Sequence, residues 1–314
     1  MTFNTRADRT APGIRTFPAH GWMGLLLVAA SWWLNWGLDG LRTYWAFFPL
    51  WLGYSLAIDA LVRWRTGTSL LTRSWRRYVG LFIISAPAWW LFEAVNLRTQ
   101  NWVYLGVDQF TPPAYAFWTT LSFSTVVPAV FGAAELAASL SFLRRIPQGP
   151  RISPDRRTTQ AFFIAGWCSL ALLLAWPRVF FPFAWISLYF IIEPLNVWLG
   201  NRSLTDWTRD RDWRPVAALW LGVLLTAFFW EMWNFFSYPK WIYDVPWGDW
   251  LHVFEMPLLG YGGYLPFSLE LFALYNFLLG ILGQHRDEYV RPVRDESELR
   301  VSPRYMLRSG KVAG

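Results

Sequence analysis

The stretch Phe228–Tyr275, FFWEMWNFFSYPKWIYDVPWGDWLHVFEMPLLGYGGYLPFSLELFALY, sets acidic residues into an apolar, aromatic background. Glu231, Asp249, Glu255 and Glu270 all lie within it. A charged side chain at the centre of a membrane helix costs about 2.5–3.5 kcal/mol on insertion scales. The stretch therefore predicts a membrane-spanning region whose acidic groups are either paired or used in a function.

The composition of the whole chain is that of a polytopic membrane protein. Hydrophobic residues make up 54% of the sequence and charged residues only 16%, whereas soluble domains contain about 25% charged residues. The net charge is +7, but the basic residues lie in alternate loops between apolar segments, so nucleic-acid binding is not expected. With Cys168 as the single cysteine, the chain forms no internal disulfide and no cysteine-ligated metal cluster.

The apolar segments predict an all-α, polytopic integral membrane protein with about eight transmembrane helices. Each segment is about 20 residues long, enough to cross about 30 Å of hydrocarbon. They lie at roughly 21–38, 44–63, 78–97, 116–143, 160–176, 180–200, 215–237 and 264–284.

Lys and Arg alternate between loops in a way that predicts the topology. They are concentrated in both tails and in the loops after the second, fourth and sixth segments, and they are sparse in the other loops. We therefore expect both termini to be cytoplasmic, in a cytoplasmic (inner) membrane whose anionic lipids contact the basic loops.

Short motifs recur in the same order at an offset of about 135 residues. This self-similarity predicts two parallel four-helix repeats, 20–145 and 160–284, joined by a cytoplasmic linker, 146–159. A basic cytoplasmic tail, 1–19, precedes them, and a solvated cytoplasmic tail, 285–314, follows them. The recurring motifs are Phe47-Phe48-Pro49 with Phe180-Phe181-Pro182, Asp59 with Glu193, Glu93 and Asn96 with Glu231 and Asn234, Trp102-Val103-Tyr104 with Trp241-Ile242-Tyr243, and Glu135 with Glu270.

Two of the repeated pairs put an acid and an amide on one helix face. Glu93 with Asn96, and Glu231 with Asn234, are each spaced three residues apart. Each pair is either a structural clamp between helices or part of a cavity between the repeats.

A third pair, Glu193 and Asn196, flanks Pro194, which predicts a kink beside a buried acid. The kink either creates a binding site or leaves backbone groups that the two side chains satisfy.

Two acids of the first repeat have simpler interpretations. Asp59 is predicted to pair with Arg63 one helical turn later. Glu135, among small residues that favour close helix packing, is either a proton carrier or the partner of an arginine.

Asp249, His252 and Glu255 follow one another at intervals of three residues. These residue types can bind a metal, but no second histidine lies nearby. The polar face of an interfacial amphipathic helix is therefore the preferred interpretation, and no metal or cofactor is predicted.

The order of these features resembles the small membrane lycopene cyclases that are built from repeated carotenoid-cyclase domains. Asp59 and Glu193 match the acid that ends one span, and Glu93 and Trp230-Glu231 match the acid late in another. Pro266–Phe272 stands in place of the family's Pro-x-Glu-Glu motif, with a longer spacing and without the second carboxylate. The resemblance implies redox-neutral, acid-catalysed cyclisation of a polyene end, with the carbocation held by aromatic side chains.

The first functional hypothesis is thus a membrane-embedded enzyme acting on an isoprenoid or other hydrophobic lipid. Its predicted proton-transfer residues are Glu231 and Glu270, partnered by Glu193 or Glu255, so that the second repeat carries the site and the first is mainly a scaffold. The alternatives are a proton-coupled transporter and a lipid-binding membrane protein, because repeats with intramembrane acids also occur in transporters. The predicted substrate-binding residues are Asn234, Asn196, Trp230, Trp233, Tyr243, Glu93 and Asn96.

The topology is testable with single cysteines in a Cys168→Ser background. We expect Asp108→Cys to react with a membrane-impermeant maleimide in intact cells, because its loop lies on the side poor in basic residues. Thr68→Cys should react only after permeabilisation. Labelling of Thr68→Cys in intact cells would reverse the predicted orientation.

Overall fold

A computed structural model describes residues 16–293, so the predicted basic residues Arg6, Arg9 and Arg15 and the C-terminal residues 294–314 lie outside the described part. The helices are α1 Ala19–Gly37, α2 Thr43–Thr66, α3 Leu70–Arg73, α4 Trp75–Thr99, α5 Pro112–Phe123, α6 Val126–Ala138, α7 Arg156–Ala175, α8 Pro177–Phe180, α9 Ser187–Trp198, α10 Thr205–Thr208, α11 Arg214–Phe235 and α12 Tyr261–Ile281. The strands are β1 Trp102–Leu105, β2 Lys240–Tyr243, β3 His252–Val253 and β4 Met256–Pro257. Short 3-10 turns cover Val107–Gln109, Ser141–Arg145, Phe181–Trp185 and Leu258–Gly260.

Six helical segments in the described range are long and apolar enough to cross a membrane, which indicates a membrane protein. They are Thr43–Thr66, Trp75–Thr99, Pro112–Ala138, Arg156–Ala175, Arg214–Phe235 and Leu258–Ile281.

A seventh crossing results if Pro177–Trp185 and Ser187–Trp198, which are bent by 41°, count as one span. The bend lies at Ile186, between the 3-10 turn and α9, whereas the sequence predicted a kink at Pro194. Helix α9 continues through Pro194.

The centre of the bundle is α6, whose side chains are almost all buried. Helices α2, α4 and α11 pack against it, and α12 packs against α9 and α11. A Cβ at Gly222 of α11 would lie 2.6 Å from the Cα of Ala134, so the backbones of α11 and α6 are in contact. Small residues permit such close approach. Within a bilayer no hydrophobic driving force acts between helices, so the van der Waals packing of the two close backbones stabilises the pair instead.

The two ends of the bundle differ in chemistry. At one end, here called the ribbon end, β1 pairs antiparallel with β2, with Trp102 opposite Tyr243 and Tyr104 opposite Trp241. The other end, here called the basic end, consists of the loops between α2 and α4 and between α9 and α11, together with residues 284–293.

Buried acids hold the loops of the basic end. Asp59 accepts hydrogen bonds from the Ser69 hydroxyl (2.7 Å) and the Leu71 N–H (2.9 Å) at the start of α3. Glu193 accepts the Thr205 N–H (3.0 Å) at the start of α10. The predicted pairing of Asp59 with Arg63 is wrong, because Arg63 instead donates to the Gly67 carbonyl.

Glu135 is the partner of an arginine, which settles the alternative that the sequence left open. Its two oxygens accept hydrogen bonds from the Arg73 guanidinium, and it also accepts the Arg291 N–H at 2.9 Å. Arg73 donates in addition to the Tyr289 carbonyl (2.7 Å). Tyr289 and Val290 are buried, so the described residues at the start of the expected solvated tail pack onto the bundle instead.

The predicted amphipathic helix around Asp249, His252 and Glu255 is wrong. Strands β3 and β4 form a short antiparallel pair there, with His252 opposite Pro257. The imidazole of His252 lies 2.8 Å from Asp249, and Glu255 forms an ion pair with Lys240. The described residues contain no group of three His, Cys, Asp or Glu side chains placed to hold one metal ion.

We expect Arg73→Ala to lower the free energy of unfolding by about 3 kcal/mol, because it removes the guanidinium from a fully buried carboxylate. Thermal unfolding in detergent measures the change. Arg76→Ala is the control, since Arg76 is exposed on the next turn. Replacing Arg73 and Glu135 together by leucine should recover part of the loss. Equal stability of the Arg73→Ala and Arg76→Ala proteins would contradict this interpretation.

Candidate functional site

A cavity of about 200 Å³ lies at the ribbon end, between the two halves of the chain. Its wall is almost entirely aromatic and apolar. The aromatic lining residues are Tyr44, Phe47, Trp89, Trp102, Tyr104, Phe110, Tyr115, Trp118, Phe123, Phe181, Trp185, Trp230, Trp241, Tyr243, Tyr264 and Phe267. An apolar cavity of about 150 Å³ is large enough to hold a benzene ring, so this one accepts a ring-sized group.

Two asparagines position the ribbon that forms part of this wall. Asn96, near the end of α4, donates to the Trp102 carbonyl (2.8 Å) and accepts the Asn101 N–H (2.9 Å). Asn234, near the end of α11, donates to the Trp241 carbonyl (2.7 Å) and accepts the Trp241 N–H (3.0 Å). Each amide therefore fixes the strand that follows its own helix, rather than clamping two helices together.

Glu93 lies directly behind one wall of the cavity. Its Oε1 accepts three hydrogen bonds, from the indole N–H groups of Trp89 (2.9 Å) and Trp102 (3.0 Å) and from the Tyr104 hydroxyl (2.5 Å). All three donors line the cavity, whereas Glu93 itself is not part of the wall. The burial of Tyr104 and the adjacent Glu93 raise the pKa of Tyr104 above its ordinary value, so the phenol stays a donor at neutral pH.

Glu231 also lies behind the cavity wall and is fully buried. Its Oε1 accepts hydrogen bonds from the hydroxyls of Tyr243 (2.7 Å) and Tyr264 (2.5 Å), which both line the cavity. Its Oε2 accepts no hydrogen bond from a side chain in the described range. Burial and Glu231 likewise raise the pKa of Tyr243 above its ordinary value.

The four predicted proton-transfer residues do not converge on one site. Glu270 lies midway along α12 and accepts the Leu188 N–H (3.1 Å) at the start of α9. Glu193 is held at the basic end, at the start of α10. Glu255 lies at the ribbon end in its ion pair with Lys240, a lining residue, so Glu231 and Glu255 are the two predicted acids whose partners form the cavity wall.

Only some of the predicted substrate-binding residues line the cavity. Trp230 and Tyr243 line the cavity. Trp233 instead packs against Trp51, with ring centroids 5.1 Å apart, and lies outside the wall. Asn196 donates to the Ala273 carbonyl (2.8 Å) and thereby joins α9 to α12.

Sequence reasoning missed several residues of the site. Tyr104 could have been found from the recurring motif Trp102-Val103-Tyr104, in which it corresponds to Tyr243. Tyr264, Trp185 and Phe267 carry no such signal, since each comes from a segment that only the packing of α12 and the Phe181–Trp185 turn brings to the ribbon. The first half also contributes more than a scaffold, because Trp89, Trp102 and Tyr104 form one wall.

No protein-family profile, curated protein or solved structure matches this chain.

We expect Asn234→Ala to lower the free energy of unfolding by about 1–3 kcal/mol, since it removes both hydrogen bonds that hold β2. Thermal unfolding provides the measurement, with Gln109→Ala as the control because Gln109 bonds only at an exposed position. Asn96→Ala should have a similar effect through β1. An Asn234→Ala protein as stable as Gln109→Ala would show that the amide does not anchor the ribbon.

Proposed function

We propose that this protein is a membrane-embedded enzyme that binds one end of an isoprenoid-like polyene and rearranges it by acid catalysis without redox change. The observation that carries the proposal is the pair of tyrosine hydroxyls, Tyr243 and Tyr264, that stand in an apolar cavity wall and bond to the buried Glu231. The resemblance to the small membrane lycopene cyclases supports the same class of reaction.

The shape and chemistry of the cavity support a hydrocarbon ligand. Pockets for whole drug-sized ligands measure about 300–1,000 Å³, so a cavity of about 200 Å³ suits one end group of a long chain. Trp89, Trp185, Trp230 and Phe267 line it. The face of an aromatic ring stabilises a positive charge by about 0.5–2 kcal/mol, so an aromatic lining favours a carbocation intermediate.

The proposed proton path runs from Glu231 to the cavity through a phenol. In the structure both phenols donate to Glu231, so the hydroxyl of Tyr264 or Tyr243 first turns towards the cavity. As its proton forms a C–H bond with a terminal alkene carbon, the carboxyl proton of Glu231 replaces it on the phenol oxygen. The alkene electron pair forms that C–H bond and leaves a carbocation, which a second double bond of the same chain attacks. Loss of a proton from the cyclic cation back along this path restores Glu231 and the alkene, so no oxidant or reductant is consumed.

A lipid-binding protein without catalysis is the second candidate. One observation favours it: the carboxyl groups of Glu93 and Glu231 lie behind the cavity wall rather than in it. A proton-coupled transporter has less support. The acids toward the basic end, Asp59, Glu193 and Glu135, are engaged with the backbone or with an arginine that fixes that end of the bundle.

We also propose the finer architecture of eight spans in two parallel four-helix repeats. Helix α1, with 19 residues at 1.5 Å each, is about 28 Å long and would be the additional span. The repeat is supported by equivalent contacts: Asp59 and Glu193 each bind the first turn of the next short helix. The β1–β2 register supports it too, because Val103 opposite Ile242 makes the ribbon locally two-fold symmetric.

The membrane orientation belongs to the same proposal. The basic end carries Arg63, Arg73, Arg77 and Arg202, so it would face the cytoplasm of a cell whose inner membrane holds the protein. The ribbon end and the aromatic cavity would then lie near the opposite surface.

Expression in cells that accumulate a linear polyene, followed by chromatography of the extracted pigments, tests the function. We expect a cyclised product in the wild type and a loss of at least about 100-fold in Glu231→Gln, because general acid catalysis contributes about 10²–10⁴-fold. In D₂O the product should gain one deuteron. The control is Glu288→Gln, which changes an exposed glutamate at the basic end.

Unchanged pigments with normal membrane insertion of the wild type would exclude polyene cyclisation. If wild type and Glu231→Gln both retain bound polyene unconverted, the lipid-binding alternative is the correct one. A product without deuterium would rule out protonation as the first step.

A further inference from the structure

We infer that Glu93 supplies the negative charge of this site, so that the cavity recognises a positively charged centre on an apolar chain. The inference rests on the proposed function, and it assigns different roles to the two repeat-related acids. Glu231 supplies the proton, and Glu93 acts as the counter-ion of the cation that results.

The hydrogen bonds of Glu93 favour its ionised form. Three donors converge on one oxygen, with the shortest contact, 2.5 Å, from Tyr104. Three donors on one oxygen compensate a negative charge there, and Glu231 has one donor fewer. Glu93 is also only half-buried, so its charge costs less desolvation than that of a fully buried acid.

The surroundings of Glu231 are different, although the repeat places it equivalently. Glu231 is fully buried, and its Oε2 has no hydrogen-bond partner in the described range. An ionised oxygen in an apolar interior is costly without a donor. A neutral carboxyl group, ready to give its proton, suits this position better.

The charge of Glu93 reaches the cavity through the rings that donate to it. An indole or phenol that donates a hydrogen bond to a carboxylate becomes richer in electrons, because hydrogen-bonded groups polarise one another. Trp89, Trp102 and Tyr104 present these rings to the cavity, so their attraction for a cation is reinforced. Lys240, the cationic residue among the lining residues, has its charge offset by Glu255.

The ligand class that follows is an apolar chain that ends in a positive centre. During the proposed reaction this centre is a carbocation. A stable mimic is a geranyl chain that ends in a trimethylammonium group, and its neutral isostere has a carbon atom in place of the nitrogen. The two probes share their shape and differ in charge.

Binding of both probes to the full chain in nanodiscs of zwitterionic lipid, measured by calorimetry against empty nanodiscs, tests the inference. We expect the wild type to prefer the ammonium probe by about tenfold. Glu93→Gln should abolish most of this preference, while Glu231→Gln and Glu288→Gln should keep it. Trp102→Phe, which removes one donor to Glu93 but keeps a ring, provides a second variant with an intermediate preference if Glu93→Gln does not fold.

The inference is overturned if the wild type does not prefer the ammonium probe, or if Glu93→Gln keeps the full preference. If Glu93→Gln does not fold, a full preference in Trp102→Phe overturns it. It is also overturned if Glu231→Gln loses as much of the preference as Glu93→Gln does. Its failure differs from failure of the proposed function. Polyene conversion without a cation preference removes the counter-ion role alone. A cation preference without conversion leaves the role of Glu93 standing and removes the enzymatic proposal.

Discussion

The cost of placing a carboxyl group in a dry, apolar bundle governs where this protein puts its acids. Such a group needs donors, and the chain supplies two kinds. Toward the basic end the donors are backbone N–H groups and Arg73, which bind Asp59, Glu193 and Glu135. At the ribbon end the donors are indoles and phenols, which bind Glu93 and Glu231. The first kind fixes loops and short helices, whereas the second connects the acid to a cavity.

This division separates structural acids from candidate chemical ones. A carboxyl group that accepts the first N–H groups of a neighbouring helix is held by those bonds and is not among the residues that line the cavity. Glu270 belongs to this group, since it accepts the Leu188 N–H at the start of α9. Glu231 does not, because its partners are the hydroxyls of Tyr243 and Tyr264, which stand in the cavity wall.

The cavity depends on both halves of the chain meeting at the β1–β2 ribbon. Asn96 and Asn234 fix the two strands in the same way, and the strands then present Trp102, Tyr104, Trp241 and Tyr243 to a common space. The donors to the two acids differ. Tyr264 of α12 donates to Glu231, whereas the indoles of Trp89 and Trp102 donate to Glu93.

The sequence alone determined the helical, membrane-spanning character, because apolar segments of about 20 residues leave the backbone few other ways to satisfy its hydrogen bonds in lipid. It also singled out Glu93, Asn96, Glu231 and Asn234 through their spacing. Only the tertiary structure decided which acids share a site, since hydrogen-bond partners far apart in the chain, such as Arg73 for Glu135, leave no local pattern. Residues 249–255 were misassigned for a different reason: the antiparallel pairing of β3 with β4, not the three-residue spacing of the polar side chains, decides their conformation.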